Sequence, residues 1–195
     1  MKRLVVLVLT LGCFVWAVSS ADAQKVKKGD IVRFLKELES KDTKERLAAI
    51  DGIARLGELK KVYAKDAYTP LASLVRKDPE AEVRAAAALA LGRIDADPEI
   101  ATPALIDGLK DKERRVIIAS ANACGALGPG AKAAAPILKE LTDQANEERA
   151  KAKEEQAKYT ADGDKEKAKL AQQRGQQAQQ LAQATGNALR SVAGK

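Results

Sequence analysis

Few residues in this sequence could carry out chemistry, and each of them has a structural alternative. The chain has no histidine, so it lacks the commonest metal ligand and the commonest general base. Cys124 could act as a nucleophile or a redox thiol, but no histidine is present to activate it. Cys124 also aligns with Leu91 and Ile53, which are predicted core positions. We therefore expect Cys124 to be a small buried apolar residue.

Two pairs of carboxylates could bind a metal ion. They are Glu80 with Glu82, and Asp95 with Asp97. Neither pair fits the calcium-loop pattern D-x-[DN]-x-[DN]-G, and Glu80 and Glu82 suit the positive end of a helix that begins there. The sequence also lacks a glycine loop that could cradle phosphate. We predict no catalytic residue, no metal site and no cofactor, and we expect that the protein is not an enzyme.

The elements that carry these residues repeat with a period of 33. Pro70, Pro103 and Pro136 lie 33 residues apart, and Gly92 and Gly125 keep the same offset. Self-similarity of this length is typical of stacked two-helix units, and solenoids of such units present extended binding surfaces. The sequence therefore predicts an all-α fold, an α-solenoid.

Each unit has start signals for two helices. Thr69-Pro70 and Thr102-Pro103 combine a good N-cap residue with proline at the first helical position, which predicts the first helices. Asp78 and Asp111 are predicted to begin the second helices, whose apolar residues recur at helical spacing. The predicted core consists of Val83, Leu91, Ile94, Val116, Cys124 and Leu127.

The N-terminal unit is irregular. Aligning Arg46 with Arg84 brings Asp42 to the place of Asp78, with a shorter turn between the two helices. Terminal units of a solenoid have only one neighbour, and atypical ones are expected there. The chain holds about three and a half units, close to the about three that a stable stack requires.

The segment from Asp78 to Ile94 follows the pattern D-x-x-x-x-V-R-x-x-A-A-x-A-L-G-x-I. This pattern resembles the short bacterial HEAT-like repeats first associated with phycobilisome lyases, and looser copies extend the resemblance over roughly residues 30–142. An ankyrin repeat has the same period, but the chain lacks the histidine of the ankyrin signature. The resemblance implies that aspartate and arginine brace adjacent units, a role that falls on Arg46, Asp78, Arg84 and Asp111.

The first 23 residues have three features of a signal peptide. A basic start at Met1–Arg3 is followed by an apolar run from Leu4 to Val18 and by Ala21-Asp22-Ala23, which predicts cleavage between Ala23 and Gln24. The alternatives are an uncleaved anchor, for which the run is short against about 20 residues, and a lipoprotein modified at Cys13. We expect export to the periplasm, the cell envelope or the medium, with no transmembrane span after cleavage.

The remaining chain divides by composition into a HEAT-like repeat domain at 24–144 and an Ala/Lys/Glu/Gln-rich tail at 145–195. Leu170, Leu181 and Leu189 are spaced by 11 and 8 residues, so the leucines form no sustained heptad. We expect the tail to be a solvated helical or partly disordered extension.

Charge and composition limit the partners. Loss of Lys2, Arg3 and Asp22 would change the net charge from +7 to +6, and the charges alternate in sign along most of the chain. Without a basic stripe or stacking aromatics, we expect no nucleic-acid partner. The predicted function is a non-enzymatic protein-binding or scaffold module that holds a protein or peptide. The alternatives are a relative of chromophore-lyase-type HEAT enzymes and an envelope structural protein whose basic tail weakly contacts a polyanionic surface.

Overall fold

The chain folds into consecutive pairs of helices. The computed structural model describes residue 27 and residues 29–194; the predicted leader and its cleavage site lie outside these residues. Within them there are eight α-helices and no strand, which confirms the all-α prediction. The helices are α1 Asp30–Glu37, α2 Thr43–Leu59, α3 Tyr68–Lys77, α4 Ala81–Arg93, α5 Pro98–Leu109, α6 Arg114–Leu127, α7 Ala135–Ala161 and α8 Lys165–Val192.

The helices form two layers, as the predicted solenoid requires. The second helices stack in the order α2, α4, α6 and α8, each against the next. In the other layer α3 packs on α5, and α5 contacts α7 and the 3-10 segment Gly128–Ala134 that leads into it. A second 3-10 segment, Lys61–Ala67, contacts both α1 and α3. The α-solenoid is thereby confirmed, with four helix pairs in the described residues.

A continuous core of aliphatic residues and alanines runs between the layers. All six predicted core residues are buried; Val83, Val116, Leu91 and Cys124 have no exposed surface. Glycines bring the second helices close together: a Cβ on Gly92 would lie 2.8 Å from the Cα of Ala123 on α6. Gly125, one repeat later, meets Ala188 of α8 in the same way, where a Cβ would lie 3.3 Å from the Cα.

The predicted starts of the first helices are wrong in detail. α3 begins at Tyr68, and α5 begins at Pro98, so Pro103 lies inside α5. The reason in α5 is a stronger start upstream, because the Asp97 side chain accepts a 3.0 Å hydrogen bond from the Glu99 N–H and Pro98 takes the first helical position.

The segment beyond residue 144 is not a separate extension. Residue 145 lies in the middle of α7, and α8 packs along α6 as the second helix of a fourth unit. The two long helices form an antiparallel hairpin, in which Gly175 faces Ala152 with 3.5 Å between the expected Cβ and the alanine Cβ.

A heptad does exist in this hairpin, and alanine fills half of its positions. Buried or half-buried residues recur every seven positions on both helices. They are Leu138, Ala145, Ala152 and Tyr159 on α7, and Ala171, Ala178, Thr185 and Val192 on α8. Leu170, one of the leucines that the sequence pattern relied on, is instead 57% exposed.

Candidate protein-binding surfaces

Buried arginine–aspartate pairs join successive units. Arg46 of α2 donates from Nε to Asp78 Oδ2 at 2.8 Å and from Nη2 to Asp78 Oδ1 at 3.1 Å. Its Nη1 donates to the carbonyl oxygens of Ser40 and Lys41 at 2.9 and 3.1 Å. The guanidinium therefore ties the turn before its own helix to the turn before α4. A bidentate arginine–carboxylate pair has a fixed geometry, and this one sets the spacing of the two units.

The next unit repeats the arrangement. Arg84 of α4 donates to both carboxylate oxygens of Asp111, at 2.7 and 3.0 Å, and to the carbonyl oxygens of Asp78 and Pro79. Hydrogen bonding to Arg84 lowers the pKa of Asp111, and the same bond raises the pKa of Arg84. The four residues that the resemblance assigned to bracing thus lie in two equivalent buried or nearly buried pairs.

The pairs stop at both ends of the stack. One repeat after Arg84 stands Ile117, and one repeat after Asp111 stands Gln144, so no third pair can form. In the first unit the place of Asp78 belongs to Ser40 and not to Asp42, because Ser40 Oγ accepts from the Asp42 N–H as Asp78 Oδ1 accepts from the Glu80 N–H. Asp42 instead caps α2 through the Lys44 N–H.

The candidate catalytic and metal-binding residues Cys124, Asp95 and Asp97 lie in the core, in an ion pair and at a helix start, respectively. Cys124 has no exposed surface, and this burial raises the pKa of its thiol to about 12. The thiol is therefore protonated at neutral pH. Asp95 pairs with Lys61 at 2.6 Å, and Asp97 caps α5. In the part of the chain that the structure describes, no three Asp, Glu or Cys side chains are grouped so that they could hold a metal ion.

The solvent-facing sides of α2, α4 and α6 form a regular surface, which we call the second-helix face. Equivalent positions on the three helices form two rows, one helical turn apart. Leu47, Ala85 and Ile118 form a half-buried apolar row; Asp51, Leu89 and Asn122 form the second row, in which Asp51 is half-buried and the other two are exposed. Leu89 is 41% exposed and is the one large apolar side chain of the second row.

On the α2 side of this face, charged side chains form ion pairs. Arg93 of α4 reaches Asp51 at 3.7 Å and Glu58 at 2.7 Å on α2, and Arg55 pairs with Asp51 at 2.7 Å. Towards α6, the equivalent positions are filled by the uncharged residues Ile118 and Asn122. The face therefore changes from a paired-charge region to an uncharged region across α4. Sequence reasoning did not identify this change, because Leu89 lies in an alanine-rich run.

A groove lies on the other layer, beside α5. Its cavity volume is about 490 Å³, and it is lined by Pro98, Thr102, Pro103 and Ile106 of α5 and by Gly130 and Ala133 of the following 3-10 segment. Gly130 meets Pro98 there, where a Cβ would lie 2.6 Å from the proline Cγ. The groove is shallow and mostly apolar; two carboxylates, Glu99 and Asp107, also line it, and Asp107 pairs with Arg76 at 2.7 Å.

Helical layers, a shared core and exposed, regular faces define a helical repeat scaffold for protein interaction. The family comparison agrees: the model for HEAT repeats matches residues 31–101 and residues 68–157. These matches cover more than half of the chain, which therefore belongs to the HEAT repeat family. Neither the curated proteins nor the solved structures gave a match. Among the described residues, no helix is both long enough and apolar enough to cross a membrane.

Proposed function

We propose that this protein is a non-enzymatic binding module that holds a protein or peptide on its second-helix face, in the periplasm, the cell envelope or the medium. The observation that carries the proposal is Leu89, an exposed leucine on a rigid helix. Exposed leucines are ordinary when isolated, but Leu89 stands beside the apolar row of Ala85 and Ile118. A partner side chain can pack against this surface without displacing any element.

The rigidity of the face supports this proposal. Leu91 and Ala87, on the opposite side of α4, are fully buried, and the nearly buried Arg84–Asp111 pair fixes α4 relative to the next unit. Side chains on a fixed helix lose little conformational freedom on binding, so more of the contact energy remains as affinity. The charged region of Arg93, Asp51 and Glu58 would orient the partner and favour one register.

The test compares two exposed leucines. Leu89→Lys should abolish capture of the partner from the native envelope fraction, because it places a charge at the centre of the apolar contact. Leu170→Lys is the matched control, since Leu170 is also exposed but lies on α8 away from the face. Capture by the Leu89→Lys variant at the wild-type level would reject the proposed face, as would equal loss in both variants.

Truncation after Gln144 is a poor test of this proposal. It removes α8, which packs on α6 and places Ala188 against Gly125. A truncated chain would therefore expose part of the core, and lost binding would report unfolding. Point substitutions on the surface avoid this ambiguity.

Export is proposed from the sequence of the leader and has its own test. The chain contains one tryptophan, Trp16, which lies in the predicted leader. If cleavage occurs between Ala23 and Gln24, the protein recovered from the periplasm or medium will have no tryptophan fluorescence. Tryptophan emission from that fraction would contradict cleavage.

A second candidate function, attachment to a polyanionic envelope surface, is favoured by one observation. Residues 167–195 contain five basic residues, Lys167, Lys169, Arg174, Arg190 and Lys195, and no acidic residue. Attachment of this kind would be released by salt, since exposed charges are screened. The relation to chromophore lyases predicts an absorbing adduct with bilin, whereas a scaffold predicts none.

A further inference from the structure

The two sides of the α7–α8 hairpin differ in charge. On the side near α6, charges are paired: Arg114 lies 3.1 Å from Glu148, and Arg174 contacts Glu155. Lys151 belongs to the same side and shares a cavity with these residues. The opposite side has a separate cavity in which no acidic residue takes part.

This second cavity, which we call the hairpin cavity, has a volume of about 280 Å³. Polar side chains from both helices line it, and two of them are arginines. Thr142, Asn146 and Arg149 belong to α7, while Gln179, Gln183 and Arg190 belong to α8. Arg149 and Arg190 are 41 residues apart in sequence, so only the antiparallel register of the hairpin brings them to one cavity.

Neither arginine has its charge neutralised. Within residues 29–194, Arg149 and Arg190 form no ion pair, and Arg190 donates only to the side-chain oxygen of Asn187. Most other arginines among the described residues pair with a carboxylate, including Arg46, Arg76, Arg84 and Arg93. The side-chain amides of Asn146, Gln179 and Gln183 also make no hydrogen bond to described residues.

The base of the hairpin cavity is fixed. Thr142 Oγ1 and Thr185 Oγ1 lie 2.8 Å apart and join α7 to α8. Thr185 also donates to the Leu181 carbonyl at 2.9 Å, and it is fully buried. Thr142 and Thr185 therefore join the two helices here without help from the arginines and carboxamides of the cavity, which remain available to a ligand.

The donor set identifies the chemistry of that ligand. Guanidinium groups and carboxamide N–H groups all donate, and a guanidinium matches an oxyanion through two parallel hydrogen bonds. Two uncompensated positive charges are balanced by a dianion, and a phosphomonoester carries a charge of about −1.5 to −2 at pH 7. The volume of about 280 Å³ lies just below the about 300–1,000 Å³ of ligand pockets, so it suits one head group and not a polymer.

We propose that the hairpin cavity is a binding site for a phosphomonoester group, held by Arg149 and Arg190 and oriented by the surrounding carboxamides. The source of that group is either a free metabolite or the head group of a lipid. This site is separate from the second-helix face and does not depend on whether that face binds a protein.

The experiment titrates glycerol 3-phosphate into the purified protein by calorimetry. One site per chain is expected, with weaker binding of acetate, which carries a single charge. Arg149→Gln and Arg190→Gln should each weaken binding by about tenfold or more, the effect of losing a charge-assisted hydrogen bond. Lys151→Gln is the matched control, because it removes the same charge from the other side of α7 and should leave the affinity unchanged.

A second readout needs no variant. In the wild-type protein, the side-chain amide signals of Asn146 and Gln183 should shift on addition of glycerol 3-phosphate, as seen by nuclear magnetic resonance. Absence of saturable binding, equal loss in the Lys151→Gln variant, or shifts confined to other residues would each overturn the proposal.

Vesicles distinguish the two sources. Binding to phosphatidic acid vesicles in a phosphatidylcholine background, with loss in Arg149→Gln and competition by glycerol 3-phosphate, would assign the site to a lipid head group. Binding of glycerol 3-phosphate without vesicle binding would assign it to a free phosphomonoester. Vesicle binding that persists in Arg149→Gln, while glycerol 3-phosphate fails to bind, would support general envelope attachment and reject the cavity.

Discussion

The Arg46–Asp78 pair allows a quantitative test of how the units are held together. Asp78→Ala leaves the Arg46 guanidinium 8% exposed, with only the carbonyls of Ser40 and Lys41 as acceptors. It also removes the acceptor of the Glu80 N–H. Breaking a buried ion pair by removing one partner costs about 3–5 kcal/mol. We expect the free energy of unfolding to fall by that amount.

A double-mutant cycle isolates the pair itself. Arg46→Met leaves a carboxylate that is 3% exposed without its main donor, so it should cost a similar amount. The double variant removes both charges and should be far less destabilised than the sum of the singles. We expect a coupling energy of about 2–3 kcal/mol, measured from urea unfolding followed by circular dichroism.

The chain offers a matched control in an exposed pair. Arg76 Nε lies 2.7 Å from Asp107 Oδ2, nearly the same separation as in the buried pair, but these side chains are 36% and 52% exposed. Exposed pairs contribute about 0.2–1 kcal/mol. If the cycle on Arg46 and Asp78 gives a coupling as small as that on Arg76 and Asp107, burial does not strengthen the pair and the reasoning is refuted.

Three further outcomes are expected from changes elsewhere in the chain. Burial raises the pKa of Cys124 to about 12, so a thiol reagent should react with it promptly only in denaturant. The free energy of unfolding should decline as pH rises above about 8.5, where the thiol of the unfolded chain ionises, and a Cys124→Ala variant should lack this decline. Because Arg84 lowers the pKa of Asp111, the contribution of this pair to the free energy of unfolding is complete above about pH 4 and is lost on further acidification. Unfolding curves of Asp111→Asn should therefore show a smaller loss of stability in acid than those of the wild type. Gly92→Ala should destabilise the protein, since the new Cβ would lie 2.8 Å from the backbone of α6. Gly186→Ala, whose Cβ would lie 3.8 Å from its nearest neighbour, should stabilise α8 by up to about 1 kcal/mol, and thermal melting measures both changes.

The repeat could be predicted because its signals are local. Asp78 and Asp111 accept equivalent hydrogen bonds from the backbone N–H groups of Glu80 and Glu113, two residues further along the chain. Each signal depends on a few neighbouring residues, so a fixed offset of 33 was enough to place the second helices. The predicted helix start at Thr102 was wrong because a second start signal, Asp97-Pro98, lies upstream, and Thr102 is buried. The start at Thr69 was wrong because the 3-10 segment Lys61–Ala67 leads directly into α3 at Tyr68.

The hairpin and its cavity could not be predicted in the same way. Alanine adds little to a hydrophobic pattern, so a heptad built on Ala145, Ala152, Ala171 and Ala178 resembles a solvated helix in sequence. Its stability comes from the close approach of two helices, a tertiary effect. Arg149 and Arg190 line one cavity only because of the antiparallel register of α7 and α8, and no local sequence pattern specifies that register.

Among the described residues, α8 has the composition of a capping layer. A repeat array has no intrinsic length, because the last layer always offers a surface on which another could be added. Here the arginine–aspartate pairs end at Ile117 and Gln144, and the final layer is a long hairpin that seals its interior with alanine against Gly125 and turns glutamine and lysine outward. A further second helix would therefore meet a polar surface on the outer side of α8 and would bury little apolar area there, which is the property of a capping repeat.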